Sequence, residues 1–147
     1  MTALRPARLT DAGKVGAILS EFVDQTDWMP RLHSRAEDIA HADAMIARGW
    51  VTVAERDGQI VGFAATEGSD LDALYVARDA QGSGVGRALL KYLQAEHEAL
   101  NLWTFQANTK AQDFYRAHGF SETGRTDGSS NDEGLPDIRF LWQRKAA

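Results

Sequence analysis

Residues 81–87 read Gln-Gly-Ser-Gly-Val-Gly-Arg, a glycine-rich loop between a strand-like run and a strongly amphipathic helix. Glycines let the backbone approach a ligand, and the first N–H groups of a helix have no internal partner. With the positive end of the helix dipole behind them, such donors suit a phosphate or a diphosphate. The P-loop reading fails because the helix opens Gly86-Arg87-Ala88, without Gly-Lys-Ser/Thr. The dinucleotide fingerprint fails as well: counted from Gly82 and Gly84, its third glycine falls on Arg87. A diphosphate cradle of another kind and a purely structural turn both remain open for the loop taken alone.

Other groups with chemical potential lie around it. Asn108 reads as the N-cap of a later helix whose apolar face is Ala111, Phe114, Tyr115 and His118. By helical spacing Tyr115 reads as core packing beside Phe114; by chemistry its hydroxyl could move a proton. Glu67, Asp70 and Asp72 stand at or near the start of the run 71–76, and a period of two puts Asp70 and Asp72 on the face of Leu74 and Val76. Trp28, Met29 and His33 fall in an irregular stretch, as apolar walls with a titratable contact or as a core cap with a solvated imidazole. Asp132, Glu133 and Asp137 stud the polar loop 128–137, which would suit a cation or serve as a mobile hairpin connection. No His or acidic cluster has metal-ligand spacing, so no metal is expected.

The elements that must position these groups are legible from periodicity. Residues 3–8 suit a short strand, and Thr10 and Asp11 offer N-cap chemistry to a helix carrying Val15, Ile18, Leu19 and Phe22. Gly13 and Gly16 weaken that helix by about 1 kcal/mol each relative to Ala. Ser34 and Glu37 form a capping box for a second helix that Gly49 closes. Residues 50–56 and 59–66 read as strands joined by Asp57-Gly58, the strongest short hairpin signal. The run 71–76 is a third strand, followed by a helix with Val85, Ala88, Leu89, Tyr92 and Leu93 on one face. A strand over 102–106, the helix from Asn108 stopped by Gly119, and strands over 120–124 and 137–143 complete the chain. The layout is α+β, largely antiparallel, with one β-α-β step in the second half. Without a repeat or a long linker, a single domain over 1–147 is expected.

Composition narrows the partners. The 147 residues suffice for one core, and 44% hydrophobic with 25% charged residues is the balance of a folded chain. A formal charge of −5, from 16 basic and 21 acidic residues, disfavours a nucleic-acid backbone as partner. No cysteine is present, which excludes disulfides, Cys-ligated metals and a Cys nucleophile. The first residues lead into no apolar signal segment and no run approaches the roughly 20 apolar residues of a membrane helix, so a cytoplasmic address is expected.

Gln81-x-x-Gly84-x-Gly86, with Leu74-Tyr75-Val76 before it and Arg87-Ala88-Leu89-Leu90 after it, resembles the acyl-CoA signature of the GCN5-related N-acetyltransferase (GNAT) superfamily. The second motif of that family is similar to Asn108-x-x-Ala111-x-x-Phe114-Tyr115 closing on His118-Gly119-Phe120, and the order of elements agrees over nearly the whole chain. One departure is Arg78, where the family often carries proline. The resemblance implies a mixed, mostly antiparallel sheet of six to seven strands flanked by about four helices, with a splayed parallel strand pair forming the coenzyme A cleft. It further implies acetyl-CoA as co-substrate and a primary amine as acceptor, acetylated by direct transfer.

Carried over residue by residue, the backbone of Leu74, Tyr75 and Val76 would pair with the pantetheine amides. The N–H groups of Gln81, Gly82, Ser83, Gly84, Val85, Gly86 and Arg87 would hold the diphosphate, and Asn108 would contact the cofactor. By analogy, the Val76 N–H would serve as oxyanion donor and Tyr115 would return a proton to the thiolate. Asp72 is the expected base, acting through water because an aspartate is short, and Trp28 and His33 the expected acceptor contacts. The alternative is a non-catalytic acyl-CoA-binding module of the same fold. The oligomeric state is left open, a homodimer being compatible with all of this.

Overall fold

The computed structural model describes residues 2–145. Its seven strands are β1 (Ala3–Pro6), β2 (Val51–Arg56), β3 (Gln59–Glu67), β4 (Asp70–Val76), β5 (Ala99–Phe105), β6 (Ser121–Thr126) and β7 (Asp137–Gln143). They form one sheet in the order β1-β2-β3-β4-β5-β7-β6. The flanking helices are α1 (Ala12–Asp24), α2 (Arg35–Ala47), α3 (Val85–Glu96) and α4 (Thr109–Ala117). Every neighbouring strand pair is antiparallel except β4 with β5, which α3 connects as a crossover. Among the described residues no helix is long and apolar enough to cross a membrane.

Local signals act where the sequence puts them. Asp57 and Gly58 both take positive φ, 52° and 75°, the two-residue turn whose twist matches the β2–β3 hairpin. Before α2, the Glu37 N–H donates to Ser34 Oγ at 3.1 Å and the Ser34 N–H to Glu37 Oε1 at 2.9 Å, so two donors at the helix start are satisfied reciprocally. At the start of α4 the Ala111 N–H donates to Asn108 Oδ1 at 3.1 Å.

Two apolar layers sandwich the sheet. On one side α1 and α2 bury Val15, Ile18, Met45 and Ile46 against Val53 and Phe63. On the other, α3 and α4 bury Leu89, Leu90, Leu93 and Tyr115 against Leu100, Ile138 and Phe140. Each fully buried aliphatic or aromatic side chain contributes about 1.5–3 kcal/mol, so both layers are needed to hold the central strands. The buried stripe of α3 differs from its expectation in one place: Leu90 is fully buried, while Tyr92 is 36% exposed.

Two differences in the strands follow from pairing rather than pattern. β5 begins at Ala99, because Leu100 pairs with Trp142 and is itself buried. In β4 the register runs from Ala65↔Ala73 to Thr66↔Leu71 and skips Asp72, a bulge. The extra residue breaks the period of two, so Leu71 packs with Leu74 and Val76 on the α3 side. Asp70 and Asp72 therefore do not simply share the face of Leu74 and Val76, contrary to the alternation expected from sequence.

Candidate active site

β4 and β5 touch at their beginnings and then part. Their single aligned pair is Asp70↔Asn101, beside a 2.8 Å bond from the Asn101 N–H to the Ser69 carbonyl. The bulge at Asp72 stands at this fork, and the added twist a bulge gives its strand turns the rest of β4 away from β5. A cavity of about 600 Å³ fills the opening. Its walls come from both sides of the sheet: Leu74, Val76, Phe114 and Tyr115 from the α3–α4 layer, Phe22 and Tyr75 from the α1 layer. The fork is a passage from one face to the other.

The glycine loop stands at one mouth of this passage. Gly82 and Gly84 take φ of 76° and 89°, values closed to most side chains, and a Cβ on either would meet nothing within 4 Å. Among the described residues the N–H groups of Gly82, Ser83 and Gly84 have no backbone partner, and those of Val85, Gly86 and Arg87 form the first turn of α3, with no preceding carbonyl to bond. All of these except Ser83 line the cavity, as do Gln81 and Asn108. The Ser83 side chain turns away from it, donating to the Ala80 carbonyl and accepting from Arg56. Arg87 from α3 and Lys110 from the first turn of α4 add cationic groups to the wall. No motif marks Lys110 beyond its place two residues after Asn108 on a helix start.

The edge of β4 is split between two tasks. The Ala77 N–H donates to the Val61 carbonyl at 2.8 Å, so backbone alternation turns Tyr75 toward β3 and Leu74 and Val76 toward the gap. Of the three residues expected to pair with a pantetheine chain, Tyr75 is therefore engaged elsewhere, and its ring forms a wall instead. The Gln81 side chain spans to the Val76 carbonyl at 3.3 Å, tying loop to strand.

Tyr115 is 8% exposed, with its ring against Phe114, Phe120 and Phe140. Among the described residues its hydroxyl has no hydrogen-bond partner, yet no buried side-chain oxygen is unsatisfied. The hydroxyl therefore opens into the cavity. Burial, with a smaller push from Tyr75, holds its pKa well above the usual phenol value, so it stays protonated. Tyr75 is pushed up to about 12 by burial and by the charge of Glu133.

Asp72 lines the cavity at the fork and is exposed. Partial burial and then the neighbouring charges of Glu67 and Asp70 raise its pKa, against a smaller lowering by His41 of α2. The carboxylate is thus a stronger base than an ordinary aspartate.

The acceptor-side expectations divide. Trp28 is outside the immediate lining, but its ring packs edge-on against Phe22 at 6.5 Å and Phe105 at 5.7 Å, both of which are wall residues. Met29 lines the cavity directly. His33 does not reach it: its side chain is 60% exposed and lies 3.7 Å from Glu37 in the first turn of α2. The loop 128–137 is knit together, Asn131 Nδ2 donating to the Leu135 carbonyl at 2.8 Å and to Asp137 Oδ2 at 3.2 Å. Asp137 is buried and also accepts from Thr126, so it is not free to meet a cation. No group of His or acidic residues among the described residues could hold a metal ion.

The chain is similar in sequence and fold to known proteins. The model of the acetyltransferase (GNAT) domain matches residues 47–122, which contain β4, the glycine loop, α3, β5 and α4. The peptidyl-lysine N-acetyltransferase YjaB of Escherichia coli (strain K12) is 33% identical over 127 residues, covering 85% of this chain and 86% of its own. The chain belongs to the GNAT acetyltransferase family. The solution structure of apo YjaB superposes with a TM-score of 0.80 at 26% identity, covering 97% of both chains. The fold is also that of yncA of Salmonella typhimurium, a putative acetyltransferase solved with acetyl-CoA, at a TM-score of 0.76 and 21% identity over 100% of this chain and 97% of that one. As a GNAT protein the chain is an acetyl-CoA-dependent N-acetyltransferase, and the binding-module alternative is not favoured.

Proposed function

We propose that the acceptor is the ε-amino group of a lysine in a peptide or protein. One observation carries this reading: the fork opens on both faces of the sheet. A donor held at the glycine loop can thus meet a slender side chain arriving from the α1–α2 face. The apolar walls there, Phe22, Met29, Tyr75 and Phe105, suit the methylene stem of a lysine. The acidic group of Glu67, Asp70 and Asp72 suits its charged end. The relation to YjaB, a peptidyl-lysine N-acetyltransferase, points the same way.

Bound acetyl-CoA supplies the acyl group as a thioester, with a thiolate to be released. The unpaired donors of residues 82–87, with Arg87 and Lys110 beside them, fit its diphosphate, and the gap-facing backbone of Leu74 and Val76 fits its pantetheine amides. The Val76 N–H faces the gap where negative charge on the acyl oxygen would develop. A lysine ammonium with a pKa near ~10.4 must shed a proton before it attacks, and Asp72, with its raised pKa, takes that proton through water. Tyr115 holds the proton that the departing sulfur needs. Apolar walls on both sides keep bulk water from the thioester. The same reading takes the enzyme to work in the cytoplasm, where acetyl-CoA and its protein acceptors meet.

The test is a competition among amines. The enzyme and acetyl-CoA are incubated with peptides that carry an internal lysine and a blocked N-terminus, with lysine-free peptides bearing a free N-terminus, and with small polyamines. Mass spectrometry then reports which amine gains an acetyl group. Modification of internal lysine is expected to dominate; dominant modification of the α-amine or of polyamines would reject lysine as the acceptor.

A further inference from the structure

Arg56 ends β2 on the far side of the glycine loop from the cavity, and it lies outside the motifs that mark the loop. All three guanidinium nitrogens are engaged. Nη1 donates to Ser83 Oγ at 2.6 Å, Nη2 donates to the Ser83 carbonyl at 2.7 Å, and Nε donates to Thr2 Oγ1 at 2.7 Å. The Ser83 hydroxyl in turn donates a hydrogen bond to the Ala80 carbonyl, so the turn is closed on itself and clamped from behind.

The second of these bonds matters most for binding. The Ser83 carbonyl and the Gly84 N–H belong to one rigid peptide unit. The guanidinium sits on the oxygen end of that unit, and among the described residues the N–H end has no partner within the chain. A cation on a carbonyl oxygen draws electron density along the peptide and makes its N–H a stronger donor, since hydrogen bonds in series polarise one another. Gly84 is the left-handed N-cap of α3, the position from which an N–H must point outward if the loop is to grip an anion. The Ser83 side chain is unavailable for that grip, because Arg56 and Ala80 hold it.

We propose that Arg56 is a positioning residue for the donor substrate: through Ser83 it holds the loop in its anion-binding form and strengthens the Gly84 N–H toward the coenzyme A diphosphate. It touches no substrate atom itself. Its effect is confined to donors that carry a diphosphate and does not depend on which amine accepts the acetyl group.

Two donors separate this role from general structural support: acetyl-CoA and S-acetylpantetheine, which has the same thioester and pantetheine but no diphosphate. Arg56→Ala is expected to raise KM for acetyl-CoA about tenfold with kcat within about twofold, and to leave kcat/KM for S-acetylpantetheine unchanged. Calorimetric titration with CoA alone, which needs no acceptor, is expected to show the same roughly tenfold weakening. Arg56→Lys keeps the charge but cannot span both Ser83 acceptors, and is expected to recover only part of the loss seen in the alanine variant. Should Arg56→Ala fold poorly, Ser83→Ala removes one of the two contacts and is expected to give a smaller, equally diphosphate-dependent rise. Equal losses with both donors, unchanged CoA affinity, or full activity in Arg56→Lys would each overturn the proposal. Failure of the lysine reading would leave the CoA titration unaffected.

Discussion

Replacing Tyr115 by Phe removes one oxygen from a ring that is otherwise held by its neighbours. The ring keeps its contacts with Phe114 at 5.3 Å, Phe120 at 5.3 Å and Phe140 at 6.4 Å. Since the hydroxyl bonds to nothing within the described chain, folding stability is expected to change by less than about 0.5 kcal/mol. The kinetic effect should be far larger. General acid catalysis contributes about 10²–10⁴-fold, and Tyr115, with its pKa pushed above the phenol range, is a reluctant donor. That places the loss in kcat near ~10²-fold, or about 2.7 kcal/mol of barrier. Desolvation of the departing thiolate in the same pocket raises its affinity for the proton too, which keeps the transfer feasible.

The assay is thiol release under saturating acetyl-CoA and lysine peptide, with CoA affinity and melting temperature measured alongside. Because Tyr115 stays protonated, the wild-type rate should show no alkaline limb from it below about pH 10. A variant with kcat within threefold of wild type and an unchanged melting temperature would refute the role given to Tyr115.

Three further outcomes are expected. Asp72→Asn should lower kcat/KM at neutral pH by about 10–100-fold and remove an acidic limb lying above the ordinary aspartate range; because the raised pKa means the folded state penalises the carboxylate, stability at neutral pH should hold or rise, and a melt that falls instead would contradict this. Gly84→Ala places a side chain at φ 89°, which should cost about 1–2 kcal/mol by denaturant melt and raise KM for acetyl-CoA; an unchanged melt would show that the loop relaxes freely. Asp11 accepts from Arg5 Nη1 and from the Arg8 N–H, each at 2.8 Å, and its Arg5 bond holds its pKa below the usual carboxylate value. Its contribution is therefore present above the ordinary aspartate pKa and lost as pH falls through the lower folded value, so Asp11→Asn should cost about 1–3 kcal/mol at pH 7 and much less in strong acid, as read from melts across pH.

Much of the fold could be read from local chemistry, because each signal acts within a few residues. The Asp57-Gly58 turn, the Ser34–Glu37 capping box and the Asn108 cap all form as their residue types require. The glycine loop was legible for the same reason: Gly82 and Gly84 are where the backbone takes the positive φ that other residues avoid. What misled was alternation across β4, where one unpaired residue at Asp72 reversed the face on which Leu71 sits. His33 misled as well, since a titratable ring in an irregular stretch says nothing about which way that stretch turns.

By itself, then, the sequence determined the element types, the glycine loop ahead of α3 and the family whose motifs the chain carries. Tertiary structure alone decided that β4 and β5 part after Asp70↔Asn101, that Tyr75 spends its backbone on β3 while Leu74 and Val76 face the gap, and that Arg56 reaches Ser83 from a distant strand. The reason is physical: caps and turns are settled by bonds between near neighbours, whereas a fork in a sheet and a clamp across it depend on how distant segments share hydrogen bonds once the two layers have packed.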